Sequence, residues 1–234
     1  LSKTNKCLLM SATLGDIDEY AIMMGMEEGE YIGLRLPSTF DFSKSPIYFT
    51  KSGWLNYNNF EKTIDTVLFD ALKICNNFHP NEKGIIHTST FKIADLLKQK
   101  IVGGLAVNPN RFLFYRTAEE KEYLVEMMKT SKEPLVLIGP SLYEGLDLKD
   151  DLGRFNILIK VPYAALTDYT KKKSERFPFW YKRTTLEKIT QAIGRTNRHK
   201  NDYSTTYLLD SLFDKLIWEL PDSVTSRILN KKLY

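Results

Sequence analysis

The sequence predicts an α/β fold in which a mainly parallel β-sheet is flanked by helices, and three observations predict it. Short apolar runs are continuous rather than alternating, stretches of helical period separate them, and polar clusters stand directly after the runs. A strand covered on both faces reads as an unbroken Ile/Val/Leu run, and parallel strands need helical crossovers to return the chain. In such sheets ligands gather at the carboxyl ends of the strands, so the residues that follow each run are the ones to examine.

Taken in order, the strands are predicted over 7–10, 84–87, 112–115, 135–138, 157–161 and 205–209, each short and bounded by polar or turn residues. A helix over 59–75 places Phe60, Ile64, Val67, Leu68, Ala71, Leu72 and Cys75 close to one face. A second over 91–101 does the same with Ile93, Ala94, Leu97 and Ile101. A third over 118–128 opens with Thr117 and Glu120 at capping-box spacing. A long polar helix is predicted over 181–198, and the tail from 216 to 234 reads as one or two helices broken by Pro221.

Composition narrows the class. A chain of 234 residues is long enough for a sizeable core. No apolar run is long enough to span a bilayer and no secretory leader opens the chain, so a membrane partner is not expected. With no sorting signal to read, a cytoplasmic protein is expected, the nucleus staying open. Cys7 and Cys75 are the two cysteines, without metal-like spacing, so neither a disulfide framework nor a metal site is expected. The net charge of +4 leans toward an anionic partner. Lys171, Lys172, Lys173, Arg176, Lys182 and Arg183 crowd one stretch with Phe177, Phe179, Trp180 and Tyr181 among them. That mixture suits a groove for a phosphate backbone and unstacked bases, and it equally suits a solvated loop anchored by its aromatics.

Four polar clusters stand where ligands are expected. Ser11-Ala12-Thr13 follows the first run and Thr88-Ser89-Thr90 the second. Ser141 and then Glu144-Gly145-Leu146-Asp147 follow the fourth. The hydroxyls of 88–90 could cap the helix that starts near Phe91, and a helix N-terminus is also a phosphate site. On the long helix Gln191, Arg195 and Arg198 are spaced four and three apart, so a continuous helix would put them on one face beside Gly194. Two guanidiniums and an amide on one stripe suit a polyphosphate, and they also suit a solvated face. The carboxylates Glu144 and Asp147 could grip ribose hydroxyls, order a basic neighbour or cap a turn.

Taken together these clusters resemble superfamily 2 helicases, and specifically the XPD/DinG-like DNA helicases. Ser11-Ala12-Thr13 looks like motif III, His87 to Phe91 like motif IV, Glu144-Gly145-Leu146-Asp147 like the core of motif V, and Gln191 to Arg198 like motif VI, QxxGRxxR. Val161-Pro162-Tyr163 after motif V, and Asp202-Tyr203 and Leu208-Leu209-Asp210 after motif VI, narrow the likeness. It runs from residue 7 to 210. SAT is a weak motif by itself, whereas EGxD followed by QxxGRxxR at this spacing is specific.

The resemblance implies a RecA-like C-terminal motor domain of an ATP-dependent helicase that moves on single-stranded DNA and unwinds duplexes. It implies that Arg195 and Arg198 reach the γ-phosphate of ATP, Arg198 being the arginine finger, with Gln191 ordering the nucleotide or the interdomain contact. Glu144, Gly145, Asp147 and Gly194 belong to the nucleotide side, Thr88, Ser89 and Ser141 contact the strand, and Ser11 and Thr13 couple hydrolysis to closure. No GxxxxGK[ST] loop, no DEAH-type acidic pair and no four-cysteine iron–sulfur set occurs in the chain. ATP and Mg²⁺ are therefore expected to be held mainly by a first motor domain outside the chain, where any iron–sulfur cluster would also lie. Residues 1–14 are assigned to that first domain and 15–234 to the C-terminal one, and the chain alone is expected not to hydrolyse ATP. An RNA helicase of the same superfamily, or a nucleic-acid-binding or partner-docking module without a motor, stays open at this point.

Overall fold

The computed structural model describes residues 6–11, 13–36 and 41–229. The chain divides into two compact units: the described part of 1–37 with 163–187, and that of 38–162 with 188–234. In chain order the described α-helices and β-strands are helix α1 (Ile17–Met23), strand β1 (Ile47–Gly53), α2 (Phe60–Lys73), β2 (Gly84–His87), α3 (Phe91–Lys100), β3 (Phe112–Phe114), α4 (Ala118–Thr130), β4 (Val136–Gly139), β5 (Phe155–Leu158), α5 (Asp168–Arg176), α6 (Trp180–Ile193), β6 (Thr205–Asp210), α7 (Asp222–Thr225) and β7 (Ile228–Leu229).

Seven described strands form one sheet in the order β3-β4-β2-β5-β6-β1-β7, every pair parallel. The expected α/β architecture with a parallel sheet flanked by helices is thus present. Strands β2, β4 and β5 run in step: Gly84 opposes Val136 and Phe155, and His87 opposes Gly139 and Leu158. Their carboxyl ends therefore open at one level. Alternation along these strands divides the core. Ile86, Ile138, Phe155 and Ile157 pack with Ile64 and Leu68 of α2 and Ile93 and Leu97 of α3. Ile85 and Leu137 pack with Val125 and Met128 of α4. Helix starts follow side-chain chemistry: Thr90 accepts the Ile93 N–H, and Thr117 with Glu120 completes a capping box.

Several expectations need correction. Residues 7–10 pair with no strand among the described residues, and Leu8 and Met10 are about four-fifths exposed (80% and 83%), since an apolar run without a neighbouring strand satisfies neither its backbone nor its side chains. Strand β5 begins two residues earlier than predicted, taking in the polar Asn156, whose amide finds a partner. Strands β1 and β7 were not expected; β1 alternates in burial, unlike the continuous runs. The long helix ends at Ile193, so Arg195 and Arg198 lie beyond it and do not share a helical face with Gln191. In the tail, a short 3₁₀ turn at Ile217–Glu219, α7 and β7 replace the expected helices, Pro221 standing at the start of α7; residues 230–234 lie outside the described residues.

Candidate functional site

The loop after β4 is built by alternation. Leu142, Leu146 and Leu148 are buried in the core under α4, which turns Ser141, Glu144, Gly145 and Asp147 to solvent. Gly145 has φ 71°, a left-handed conformation that a residue with a Cβ adopts only at a cost. Ser141 (φ 59°) turns the chain just after β4, as Ser89 (φ 61°) does after β2.

The segment after α6 folds onto this loop. The helix closes with Gly194 N–H donating to Thr190 O at 3.0 Å and Arg195 N–H to Ala192 O at 3.2 Å. Gly, Thr and Asn at 194, 196 and 197 are poor helix formers, and Asp202 Oδ2 captures the Arg198 N–H at 3.0 Å instead of letting it continue the helix. The arginines converge through the loop rather than along a helix. Arg195 donates from Nε (2.9 Å) and Nη2 to the Tyr143 carbonyl and from Nη1 to the Leu146 carbonyl (2.9 Å). Arg198 Nε donates to Asp147 Oδ1 at 2.7 Å and Nη1 to Gly194 O at 3.3 Å. Burial, and next the charge of Arg198, lower the Arg195 pKa, while Glu144 and Asp147 oppose this; a guanidinium stays charged throughout. Gln191 is half-buried on the last turn of α6.

Asp202 is a second organising residue. Its two oxygens accept the N–H groups of Asp150, Arg198 and Tyr203 and the Nη1 of buried Arg154 at 3.0 Å. Arg154 also pairs with Asp151 and lies 3.8 Å from the centre of the Tyr203 ring. Asp150, His199 and Asp202 bring ligand atoms within 4.8 Å of one another. Because Asp202 is already saturated by donors, one of them a cation, this is an ion-pair knot rather than a metal cradle.

At the end of β2 the three hydroxyls diverge. Thr88 is buried and donates to Thr90 O at 3.0 Å; Ser89, half-buried, donates to Lys160 O at 2.9 Å; Thr90 caps α3. Of Thr88, Ser89 and Ser141, Ser141 alone is exposed. His87, Ser89, Ser141, Tyr143 and Lys160 line a pocket with about 10 Å³ of free space, roughly one water. Burial lowers the Lys160 pKa and Asp210 opposes the shift. Asp210 is buried and accepts the N–H groups of Leu55, Val161 and Leu212.

In the other unit, Ser11 Oγ accepts the Thr13 N–H at 3.1 Å; Ala12 lies outside the described residues. The basic stretch divides there. Lys171, Lys172, Arg176 and Lys182 are exposed and Lys173 lies over the Trp180 ring, but Arg183 is buried, paired with Glu187 and bonded to Leu14 O. Arg183 is thus structural rather than part of a basic surface.

The donor sets discriminate between cofactors. Arg198 offers an accessible guanidinium of the kind that suits a nucleotide phosphate, whereas Arg195 is taken up by the loop carbonyls, and the chain has no phosphate-cradling loop. Exposed Cys7 and buried Cys75, whose thiol burial pushes up to about 12, cannot ligate an iron–sulfur cluster. Asn156 and Arg154 escaped sequence reasoning; a lone Asn inside an apolar run was the signal for the first.

Comparison with known proteins extends this picture. Residues 72–227 match the profile of the helicase C-terminal domain. The ATP-dependent DNA helicase chl-1 of Caenorhabditis elegans is 32% identical over 98 residues, 37% of this chain and 12% of that protein. The ATP-dependent DNA helicase CHL1 of Candida albicans is 27% identical over 138 residues, 50% of this chain and 15% of that protein. The chain therefore spans a small part of the relatives it matches. Among solved structures, an XPD helicase superposes with a TM-score of 0.69 at 20% identity, covering 96% of this chain and 42% of that one. The Xpd4 structure from S. tokodaii gives 0.64 at 16% identity, covering 88% and 42%. At these identities the two structures establish the fold.

Proposed function

Because the chain belongs to the helicase C-terminal domain family, as an XPD/DinG-like member of superfamily 2 homologous to ATP-dependent DNA helicases, we propose that it is the second motor domain of a helicase that couples ATP hydrolysis to movement on single-stranded DNA and to duplex unwinding. One observation carries this reading: the two motif VI arginines meet the Glu144–Asp147 loop at the carboxyl end of the sheet, and Arg198 remains solvent-accessible.

ATP with Mg²⁺, held mainly by a first motor domain, supplies the phosphoryl transfer. Arg198 is the side chain that presents positive charge to those phosphates; its exposed pairing with Asp147 contributes little and is readily exchanged. An arginine in that role is worth about 10³–10⁵ in rate. Arg195 holds the loop in shape from beneath, and Gly194 gives its carbonyl to Arg198. Glu144, Gly145 and Asp147 form the edge that nucleotide and nucleic acid share, and Gln191 stands at the interdomain contact. Ser141 and Ser89 face the strand's phosphates with Thr88 packed behind them, and Ser11 and Thr13 link this domain to the first. Residues 1–14 belong with that first domain.

The test is DNA-stimulated ATP turnover by the intact protein and by its Arg198→Ala variant. Turnover is expected to rise with single-stranded DNA and to fall about 10³-fold or more in the variant, ATP binding being retained. Equal turnover by variant and wild type would exclude the arginine finger. RNA in place of DNA in the same assay decides which strand is the track, and the isolated chain is expected to hydrolyse no ATP.

A further inference from the structure

Strand β5 carries one polar side chain, Asn156, in a wholly buried run. Its Nδ2 donates to the Ala192 carbonyl at 2.8 Å. That carbonyl sits in the last turn of α6, where helix carbonyls lack intrahelical partners, and it also accepts the Arg195 N–H at 3.2 Å. One oxygen therefore holds both the β5 amide and the backbone from which Arg195 extends. Since a carbonyl only accepts, Nδ2 faces the helix and Oδ1 faces away from it.

His87 is the diagonal neighbour of Asn156 on the same sheet face, because Ile85 opposes Asn156 and His87 opposes Leu158. It is 5% exposed, and it lines the pocket with Ser89 and Ser141. Both its ring nitrogens and Asn156 Oδ1 are buried without a well-formed hydrogen bond among the described residues, while the amide lies close enough to act on the imidazole's titration. Burial, and then the charge of Arg195, lower the His87 pKa to about 3, so the ring is neutral at physiological pH.

We propose that Asn156 and His87 are positioning residues for the arginine turn: Asn156 sets the Ala192 peptide that anchors Arg195, and the His87 ring beside it on the sheet face keeps the Asn156 carboxamide turned toward that peptide. Both roles rest on the reading given above, in which Arg198 meets the phosphates and Arg195 holds the loop that carries its partner Asp147. The pair also connects the turn after β2, which carries Ser89, to the segment that carries Arg195 and Arg198.

The experiment measures DNA-stimulated turnover of the intact protein with KM for ATP, Kd for single-stranded DNA and the melting midpoint alongside. Asn156→Val removes the amide and suits a strand; Asn156→Asp keeps the shape but loses the N–H. Both are expected to lower kcat about tenfold, the size of one lost buried hydrogen bond expressed in the transition state, with KM and Kd within about twofold of wild type. In an Arg195→Ala background either substitution is expected to add little, because the two act through one element. Wild-type kcat in Asn156→Val, or losses that add fully to those of Arg195→Ala, overturns the positioning role and leaves the arginine reading standing. Wild-type turnover by Arg195→Ala also overturns the positioning role, whereas wild-type turnover by Arg198→Ala overturns the reading beneath. Should Asn156→Val not fold, His87→Gln and His87→Phe ask the same from the other side. Glutamine can donate to Oδ1 and is expected to preserve kcat, and phenylalanine to lower it; equal rates overturn the role.

Discussion

Arg198 Nε lies 2.7 Å from Asp147 Oδ1, with side-chain exposures of 39% and 63%, so the arginine closest to solvent at the end of the sheet is held by a single carboxylate. An ion pair this exposed is worth about 0–1 kcal/mol. Asp147→Asn should leave the unfolding free energy of the domain within that range of wild type. A larger loss in urea denaturation would show that the pair is structural rather than a resting place for Arg198.

Arg195 has the opposite character. Its guanidinium bridges the Tyr143 and Leu146 carbonyls, a fork that an ammonium cannot reproduce. Arg195→Lys should therefore loosen the loop: amide exchange across 141–147 is expected to quicken about 5- to 150-fold, the equivalent of roughly 1–3 kcal/mol of unmet hydrogen bonding. Unchanged exchange would mean that the loop is held by its three buried leucines alone.

Asp202 and Arg154 form a buried pair, with side chains 0% and 9% exposed. Removing one partner strands the other, so Asp202→Ala should cost about 3–5 kcal/mol in urea unfolding. The double change Asp202→Leu with Arg154→Met should cost much less than the sum of its parts. Additive costs would mean that each residue acts through its backbone contacts instead of through the pair.

His87 makes stability depend on pH. Its pKa is lowered from 6.5 to about 3 in the folded chain by burial, so between those values the unfolded chain binds a proton that the folded chain does not. The stabilisation is fully present above about pH 6.5 and is lost as the pH falls toward 3, at up to about 1.4 kcal/mol per unit. His87→Phe should flatten this acid limb. An acid limb of unchanged slope between about pH 6 and about pH 4 in that variant would assign it to carboxylates instead.

Much of the fold was legible because it depends on local pattern. Gly84–His87, Val136–Gly139 and Thr205–Asp210 are mainly apolar runs, α2, α3 and α4 carry one-sided stripes, and α3 and α4 also have capping side chains at their starts. β1 was not legible, since its buried Ile47 and Phe49 alternate with Tyr48 and Thr50 and the exposed Lys51 interrupts them, leaving no continuous apolar run. The site was legible as a set of residues and not as a geometry. Glu144, Asp147, Arg195 and Arg198 do come together, but through a turn that ends the helix at Ile193.

By itself the sequence determined the parallel α/β class, the order of its principal strands and helices, and the family, because burial periodicity, capping spacing and an EGxD…QxxGRxxR series are properties of neighbouring residues along the chain. Only the tertiary structure decided that Arg195 is spent on loop carbonyls while Arg198 stays accessible, that Asp202 rather than a helical carbonyl takes the Arg198 N–H, and that Asn156 is a tolerated polar group in a buried strand. Each of these rests on a hydrogen bond between residues distant in sequence or on a choice between competing acceptors. A buried polar group takes whichever partner the packed fold places within reach.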